Sequence, residues 1–486
     1  MRGTCFLAGL FLAIEAPLEF RPKLGVGKAA VRVFHNRATK LARVSCVGRH
    51  AAPTRILPIP SHLLVWLDSA VDRDNPPVIS DNNMLVTIRD IQAAADRIAG
   101  HVVQTPCPLS IPLSEATGMQ VFCKLDYLQR TGSFKERGAR NALLLLGAEQ
   151  KKHGVIAASA GNHALGLAYH AQLLSIPITV VMPFFAPLMK VSNCRRLGAN
   201  VVLHGADIGE SKTRADEIAA EQKLTYINGF DDPAIIAGQG TLGLEIAAQV
   251  PDVDAVIVPI GGAGLVAGLG LALKALKPSV RIIGVEPERA AAFTAAMQAG
   301  KPVDIEVKPT LADGLSVPRV GANAFQIARG LVDKTLLVCE HDIALAILRL
   351  LELEKAVVEG AGAAPLAACL AGLVPELKGK TVVLPLSGGN IDTPILGRVL
   401  ERGLASDGRL YRFSATISDR PGGLARFAGL LAEAGASIVE IAHDRAFASD
   451  DITTVSVHCI VETRDAGHIT TVRERLDRAG FPMTES

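Results

Sequence analysis

The sequence predicts an α/β protein, a doubly wound parallel sheet followed by a small α+β unit of ferredoxin-like order. Three observations carry this reading. Six short runs, "GVIAASA", "PITVVMP", "ANVVLHG", "DAVIVPIG", "VRIIGVEP" and "TVVLPLSGG", are β-branched and nearly apolar throughout, as strands buried on both faces of a parallel sheet are. Amphipathic stretches such as "GESKTRADEIAAEQK" lie between them, so the repeating unit is βα and ligands belong beyond the carboxyl ends of the strands. Near "ERGLASDGRL" the pattern changes. Residues 410–486 read strand, helix, strand, strand, helix and a possible last strand, the order of a ferredoxin-like module.

Residues 1–83 stand apart. They carry Pro-rich patches and show no sustained period, and their first fifty residues hold nine Lys or Arg against only Glu15 and Glu19. An Arg-rich, acid-poor leader fits an organelle transit peptide. The run "CFLAGLFLAIEA" half supports a signal peptide but is too short to span a bilayer, and the basic stretch behind it argues against secretion. The favoured reading is a leader that is disordered or outside the working protein. The functional start is then Met84, where "MLVTIRDIQAAADRIAG" opens strongly periodic structure.

The length of 486 residues allows two or three domains with full cores. A formal net charge of +2 gives no electrostatic footprint for nucleic acid or an anionic membrane. The eight cysteines form no CxxC pair and no metal-ligand spacing, and read as reduced thiols. That points to the cytoplasm, or to an organelle matrix if the leader is a real transit peptide.

Chemistry is sought in the loops after the strands. "DAVIVPI" runs into "GGAGLVAG", Gly261 to Gly268, and then a helix. Bare amides at a helix N-terminus bind phosphate, and glycine lets the backbone approach; a tight turn without a ligand would look similar. A rival reading takes Gly262, Gly264 and Ala267 as G-x-G-x-x-A, with Glu286 closing the next strand, as in a dehydrogenase. A second loop, "ASAGNHALG", offers Ser159, Asn162 and the amides of residues 160 to 163 as an anion cradle, with His163 read as a helix-start or packing residue. A third, "LSGGN", presents Ser387. In "GSFKERGA", Lys135 sits in the first turn of a helix. It is either a solvated charge or a buried amine that does chemistry.

Taken in order and spacing over residues 84–486, "SFKERGA", "SAGNHA", "GGAGL" and "LSGGN" resemble the fold-type II pyridoxal-phosphate enzymes. The resemblance is strongest to threonine ammonia-lyases with one C-terminal ACT domain. It implies a two-lobed catalytic domain over 84–405, similar to the β subunit of tryptophan synthase, and an ACT regulatory domain over 410–486. It makes pyridoxal 5'-phosphate the cofactor and Lys135 the lysine that binds its aldehyde and later removes the substrate α-proton. A dry pocket lowers the pKa of such an amine.

By the same resemblance, Phe134 packs on the cofactor ring, Asn162 bonds its phenolic oxygen, and Ser387 faces its pyridine nitrogen. The amides of Gly261, Gly262, Ala263, Gly264 and Leu265 bind its phosphate. The family usually has four glycines in that loop, so Ala263 departs from it, with a methyl group that is tolerable if its φ is negative. Ser159, Ala160, Gly161, Asn162 and His163 form the substrate loop. Related racemases carry a serine at the position of Ala160, which has no proton to give, so elimination is expected over racemisation. No metal is expected, because Ala290 and Ala292 follow Glu286 and leave a single side-chain carboxylate.

The implied reaction is β-elimination, L-threonine to 2-oxobutanoate and ammonia, or L-serine to pyruvate. The turn Asp419, Arg420, Pro421, Gly422, Gly423 and Leu424 resembles an ACT effector site, with isoleucine as the natural effector, and a homo-oligomer, dimer or tetramer, is implied. Alternatives that stay open are an ammonia-lyase for another β-hydroxy amino acid such as 3-hydroxyaspartate, a dehydrogenase using the 262–267 glycines, and a non-catalytic amino-acid sensor.

Overall fold

The computed structural model describes residues 85–445, 453–481 and 483–485, together with the backbone of three short strands at 31–35, 42–46 and 56–57. The chain divides into two units, Met1–Ile79 and Ser80–Ser486. In the first, β1 (Val31–His35), β2 (Ala42–Cys46) and β3 (Ile56–Leu57) form an antiparallel sheet. The expected leader otherwise lies outside the described residues, Trp66 included.

The second unit opens on a helix, Ile88–Ile98, that its sequence caps. The Thr87 hydroxyl accepts from the Asp90 amide at 3.3 Å, and the Asp90 carboxylate accepts from the Thr87 amide at 2.8 Å, a reciprocal capping box. Two-residue β4 (Leu109–Ser110) and β5 (Gln120–Lys124) follow. The chain then builds a separate all-parallel sheet from β6 (Val155–Ala158), β7 (Ile178–Met182), β8 (Asn200–Leu203) and β9 (Thr225–Tyr226), in the order β8-β7-β6-β9.

It returns to the first sheet with β10 (Ala255–Pro259), β11 (Arg281–Pro287), β12 (Lys334–Val338) and β13 (Thr381–Pro385). The six-stranded order is β12-β11-β10-β13-β5-β4, parallel except for the β4 edge. The late strand β13 lies between β10 and β5, with Thr381 opposite Gln120.

Strand periodicity divides the core. In β10, Val256 and Val258 face one cluster, while Ala255 and Ile257 face the other, as successive side chains of a strand must. All six predicted runs are strands. Burial on both faces holds for β7 and β10. It fails for β8, an edge strand with Asn200 and Leu203 exposed. Glycines let the helices close up: a Cβ on Gly238 would meet the Gly138 Cα at 2.6 Å, so helix Pro233–Gln249 sits directly against helix Lys135–Leu145.

The C-terminal sheet is antiparallel, β14 (Leu410–Ser418), β15 (Ser437–Asp444), β16 (Thr454–Glu462) and β17 (Met483–Glu485) in the order β15-β16-β14-β17. Helices Gly423–Ala434 and Ala466–Arg478 complete a ferredoxin-like unit around Phe413, Phe427, Val457, Cys459 and Leu476. Charges hold its entry turn to helix Glu340–Glu354. Asp407 and Arg409 pair with Arg349 and Glu352, while Thr463 bonds the carbonyls of Gly408 and Arg409 from the other side.

Candidate active site

Lys135 is the first residue of helix Lys135–Leu145. The turn before it is stitched to the end of β13: the Phe134 amide donates to the Ser387 carbonyl at 2.9 Å, and Ser133 bridges Gly388. Two residues further on, the buried Arg137 guanidinium fixes the helix. It binds Asp126 through two bonds of 2.8 Å and Glu245 at 2.6 and 2.9 Å. Buried Lys124 completes the set on Glu245 at 2.5 Å. Two cations meet two carboxylates, so the buried charges balance.

The Lys135 amine donates to the Gly229 carbonyl at 2.7 Å and lies 5.1 Å from the centre of the Phe134 ring. Burial drives it down to about 8, against the opposing pull of Glu359, so a useful fraction is the free nucleophile near neutrality. Beyond Gly229, Phe230 packs on the loop after β10. A Cβ on Gly262 would meet the Phe230 ring at 2.3 Å, and one on Gly264 would meet the Phe230 carbonyl at 2.3 Å. Only glycine fits at those two positions. The lysine amine is thereby tied, through Gly229–Phe230, to the glycine loop at the start of helix Gly264–Leu276.

Ala263 does not meet the condition under which its methyl group would be carried without strain. Its φ is +72°, in the left-handed region, not negative. Its methyl group is therefore carried at a strain of about 1–2 kcal/mol. The amides of the loop and the open helix N-terminus suit a phosphate.

The "SAGNHA" loop opens helix Asn162–Leu173. The Gly161 amide donates to the Ser159 hydroxyl at 3.3 Å, and Ala160 packs against the small-lobe core. Asn162 donates to the Glu359 carboxylate at 2.7 Å and accepts from Asn390 at 2.8 Å. His163 is buried with Nε2 3.1 Å from the Ile227 carbonyl. Burial first, and then the charge of Lys135, push it down to about 3, so it stays neutral as a packing residue. Ser387 is buried at the end of β13, and Leu265 is buried at the start of its helix.

Four residues at the site escaped the sequence reading: Glu359, Asn390, Lys190 and Asp313. Lys190 reaches Asp313 at 3.3 Å. Burial opposes its charge, but Asp313 and Glu359 outweigh that and raise its pKa. Burial and then Asp313 push Glu359 up to about 7. Asn390 closes the quoted "LSGGN" itself. Glu359 stands in "VVEGAGAA", whose acid before a glycine-rich helix start is the signal that was available.

Glu286, on which the dehydrogenase reading leans, is occupied. Its carboxylate accepts from the amides of Phe293 at 2.7 Å and Thr294 at 2.8 Å and from the Thr294 hydroxyl at 2.6 Å. It caps helix Ala292–Ala299 and is not left for a ribose. No cluster of metal-ligating side chains occurs among the described residues.

With this geometry in place, the chain matches the family model described as "Pyridoxal-phosphate dependent enzyme" over residues 98–388. It belongs to that pyridoxal-phosphate-dependent family. Lys135, the glycine loop and Ser387 all fall within the matched span. The L-threonine ammonia-lyase of Thermotoga maritima is 41% identical over 399 residues, covering 82% of this chain and 99% of the relative. That of Geobacter sulfurreducens is 46% identical over 391 residues, covering 80% and 97%. The processed form of threonine deaminase isoform 2 from Solanum lycopersicum superposes with a TM-score of 0.62 at 37% identity, covering 65% of this chain and 92% of that one. The pyridoxal-phosphate family supplies the cofactor, and the site fits it: a glycine cradle that any Cβ would fill, next to a buried amine of lowered pKa.

Proposed function

We propose that this chain is an ammonia-lyase that converts L-threonine to 2-oxobutanoate and ammonia, and L-serine to pyruvate and ammonia. The observation that carries the reading is the Lys135 amine, poised near neutrality and tied to the glycine loop through Gly229 and Phe230. Relatives of the same printed activity over four-fifths of the chain support it.

Pyridoxal phosphate, when bound, withdraws electrons from the substrate Cα so that its proton becomes acidic. The residues do the rest. The amides of Gly261, Gly262, Ala263, Gly264 and Leu265 would hold the phosphate, Phe134 the ring face, and Asn162 the phenolic oxygen. Ser387 would meet the pyridine nitrogen with a hydroxyl, which does not stabilise a full positive charge there as a carboxylate would. Ser159 to His163 would hold the substrate carboxylate at the N-terminus of helix Asn162–Leu173. The freed Lys135 amine takes the α-proton. Loss of the β-hydroxyl as water leaves an enamine, and its hydrolysis by one water gives the keto acid and ammonia.

In the same reading, residues 84–405 are the catalytic domain and 410–486 an ACT domain, and the chain works as a homo-oligomer in the cytoplasm. The exposed Asp419–Leu424 turn would receive an amino-acid effector; Asp419 is held there by Arg445 at 3.1 Å. Keto-acid release from threonine, serine and 3-hydroxyaspartate is the test. Threonine is expected to be the best substrate, and Lys135→Ala is expected to release none. Turnover in that variant, or no keto acid from threonine with the wild-type enzyme, overturns the reading.

A further inference from the structure

Next to Lys135 lies a buried carboxylate that the reaction above does not use. Glu136 is fully buried. One oxygen accepts from the Thr131 amide, and the other lies 3.3 Å from Nε2 of His170, which is also fully buried. An isolated buried carboxylate costs several kcal/mol, and a helix of this kind needs no acid for its core.

An acid in the first turn ordinarily caps its own helix. Glu136 instead reaches back past the cap residue Phe134 into the preceding loop. The residue it grips is held through its carbonyl as well. The Thr131 carbonyl accepts from Asn390 at 2.6 Å, and Asn390 donates to Asn162. The loop between them is bound to β13's end through Gly389, which donates to the Gly132 carbonyl at 2.9 Å. One hydrogen-bonded path therefore runs from Glu136 through Thr131 and Asn390 to Asn162, and the imidazole of His170 stands 3.3 Å behind the second Glu136 oxygen without a hydrogen bond to it.

His170 is set by its surroundings. Burial lowers its pKa, with Glu136 pulling the other way and Arg140 and His101 adding to the fall. The Tyr169 ring stands edge-on at 4.9 Å between ring centres. Gly166, one turn earlier on the same helix, packs on the Lys135 carbonyl and the Glu136 amide.

We propose that Glu136, backed by His170, is a positioning residue. It clamps the Thr131–Ser133 turn so that the Lys135 amine and the Asn390–Asn162 pair stand in register. The effect on turnover rests on Lys135 being the catalytic amine, whereas the clamp itself is readable without cofactor.

The experiment therefore has two arms. In the apoprotein, amide hydrogen exchange at Thr131 is expected to speed up in Glu136→Ala and to return to the wild-type rate in Glu136→Gln, whose amide oxygen still accepts. In the loaded enzyme, kcat for threonine is expected to fall by roughly ten- to a hundredfold in Glu136→Ala, as a small misplacement of a reacting group produces. KM is expected to change little, and Glu136→Gln should recover most of the loss.

His170→Leu removes only the backing, and carries the test if Glu136→Ala does not fold: partly accelerated Thr131 exchange and a smaller fall in kcat are expected. Unchanged Thr131 exchange in the folded variants overturns the clamp, and so does a Glu136→Gln enzyme as slow as Glu136→Ala. A wild-type enzyme inactive on threonine would instead overturn the assigned reaction and leave the exchange result to decide the clamp.

Discussion

Ala263 holds a left-handed conformation at the centre of the phosphate loop, with φ +72°, and that strain is removable. Ala263→Gly should stabilise the apoprotein by about 0.5–1 kcal/mol, since the relief of the Cβ clash exceeds the added unfolded-state entropy; a melting temperature no higher than wild type would contradict this. Glu359 carries a different cost. Its pKa in the folded state, about 7, lies above the ordinary 4.5, so folding favours its protonated form. That cost is absent below about 4.5, grows as pH rises towards 7, and is then constant. Glu359→Gln should therefore exceed wild-type apoprotein stability by on the order of 2–3 kcal/mol at pH 8, with the gap closing towards pH 5. The check is a pair of urea titrations at the two pH values. For Lys135 the sign runs the other way in rate. The free amine grows as pH passes about 8, so the rate at which apoprotein takes up pyridoxal phosphate should rise with half its increase near that pH, read from the growth of the cofactor's visible band.

Helix Lys135–Leu145 is anchored by buried charges as well as by Ala139, Ala142 and Leu143 in the core. Arg137→Met would leave Asp126 and Glu245 with only Lys124 to share, and is expected to cost roughly 3–5 kcal/mol, seen as a lower urea midpoint. The reason such an element was half-visible in the sequence is instructive. The motif "SFKERGA" marked Lys135, but Arg137 and Glu136 could be any helix-surface charges until their distant partners at 126, 170 and 245 are placed. Strands β6, β7, β8, β10, β11 and β13 announced themselves through β-branched runs. Strand β5, "QVFCK", did not, because its last residue is the buried Lys124, a charge that no hydropathy pattern assigns to a core. Nor did β12, "KTLLV", an edge strand without sustained burial. The site was legible where small-residue loops follow strands, and illegible where polar side chains are recruited from afar, as with Lys190 and Asp313. The sign of the Ala263 φ stayed open in the sequence because a single alanine among glycines gives no backbone information.

Over the whole molecule, the charged joint of Arg349, Glu352, Asp407 and Arg409 fastens the turn that leads into the ferredoxin-like unit to helix Glu340–Glu354, and that helix leads within five residues to Glu359. A chain ending at Arg409 keeps this joint and every proposed cofactor contact. It is expected to turn over threonine without responding to isoleucine or valine, because an effector acts only through differential affinity for the states it links. Threonine saturation of the full and shortened enzymes, with and without each effector, decides it: equal inhibition of both would place the effector site elsewhere. The strand order has a consequence for synthesis. The small sheet, β6 to β9, is complete once Tyr226 has left the ribosome. The large one is not, because β13 is its keystone, inserted between β10 and β5 after both have long emerged. Until then the nascent chain carries two half-sheets with bare facing edges, the exposure on which chaperones act. Because Ser387 and the carbonyl that receives the Phe134 amide arrive with that same strand, the pocket for the cofactor closes only as the keystone seats. A polysome-bound chain released before residue 385 should therefore fail to retain pyridoxal phosphate, however well its small lobe has folded.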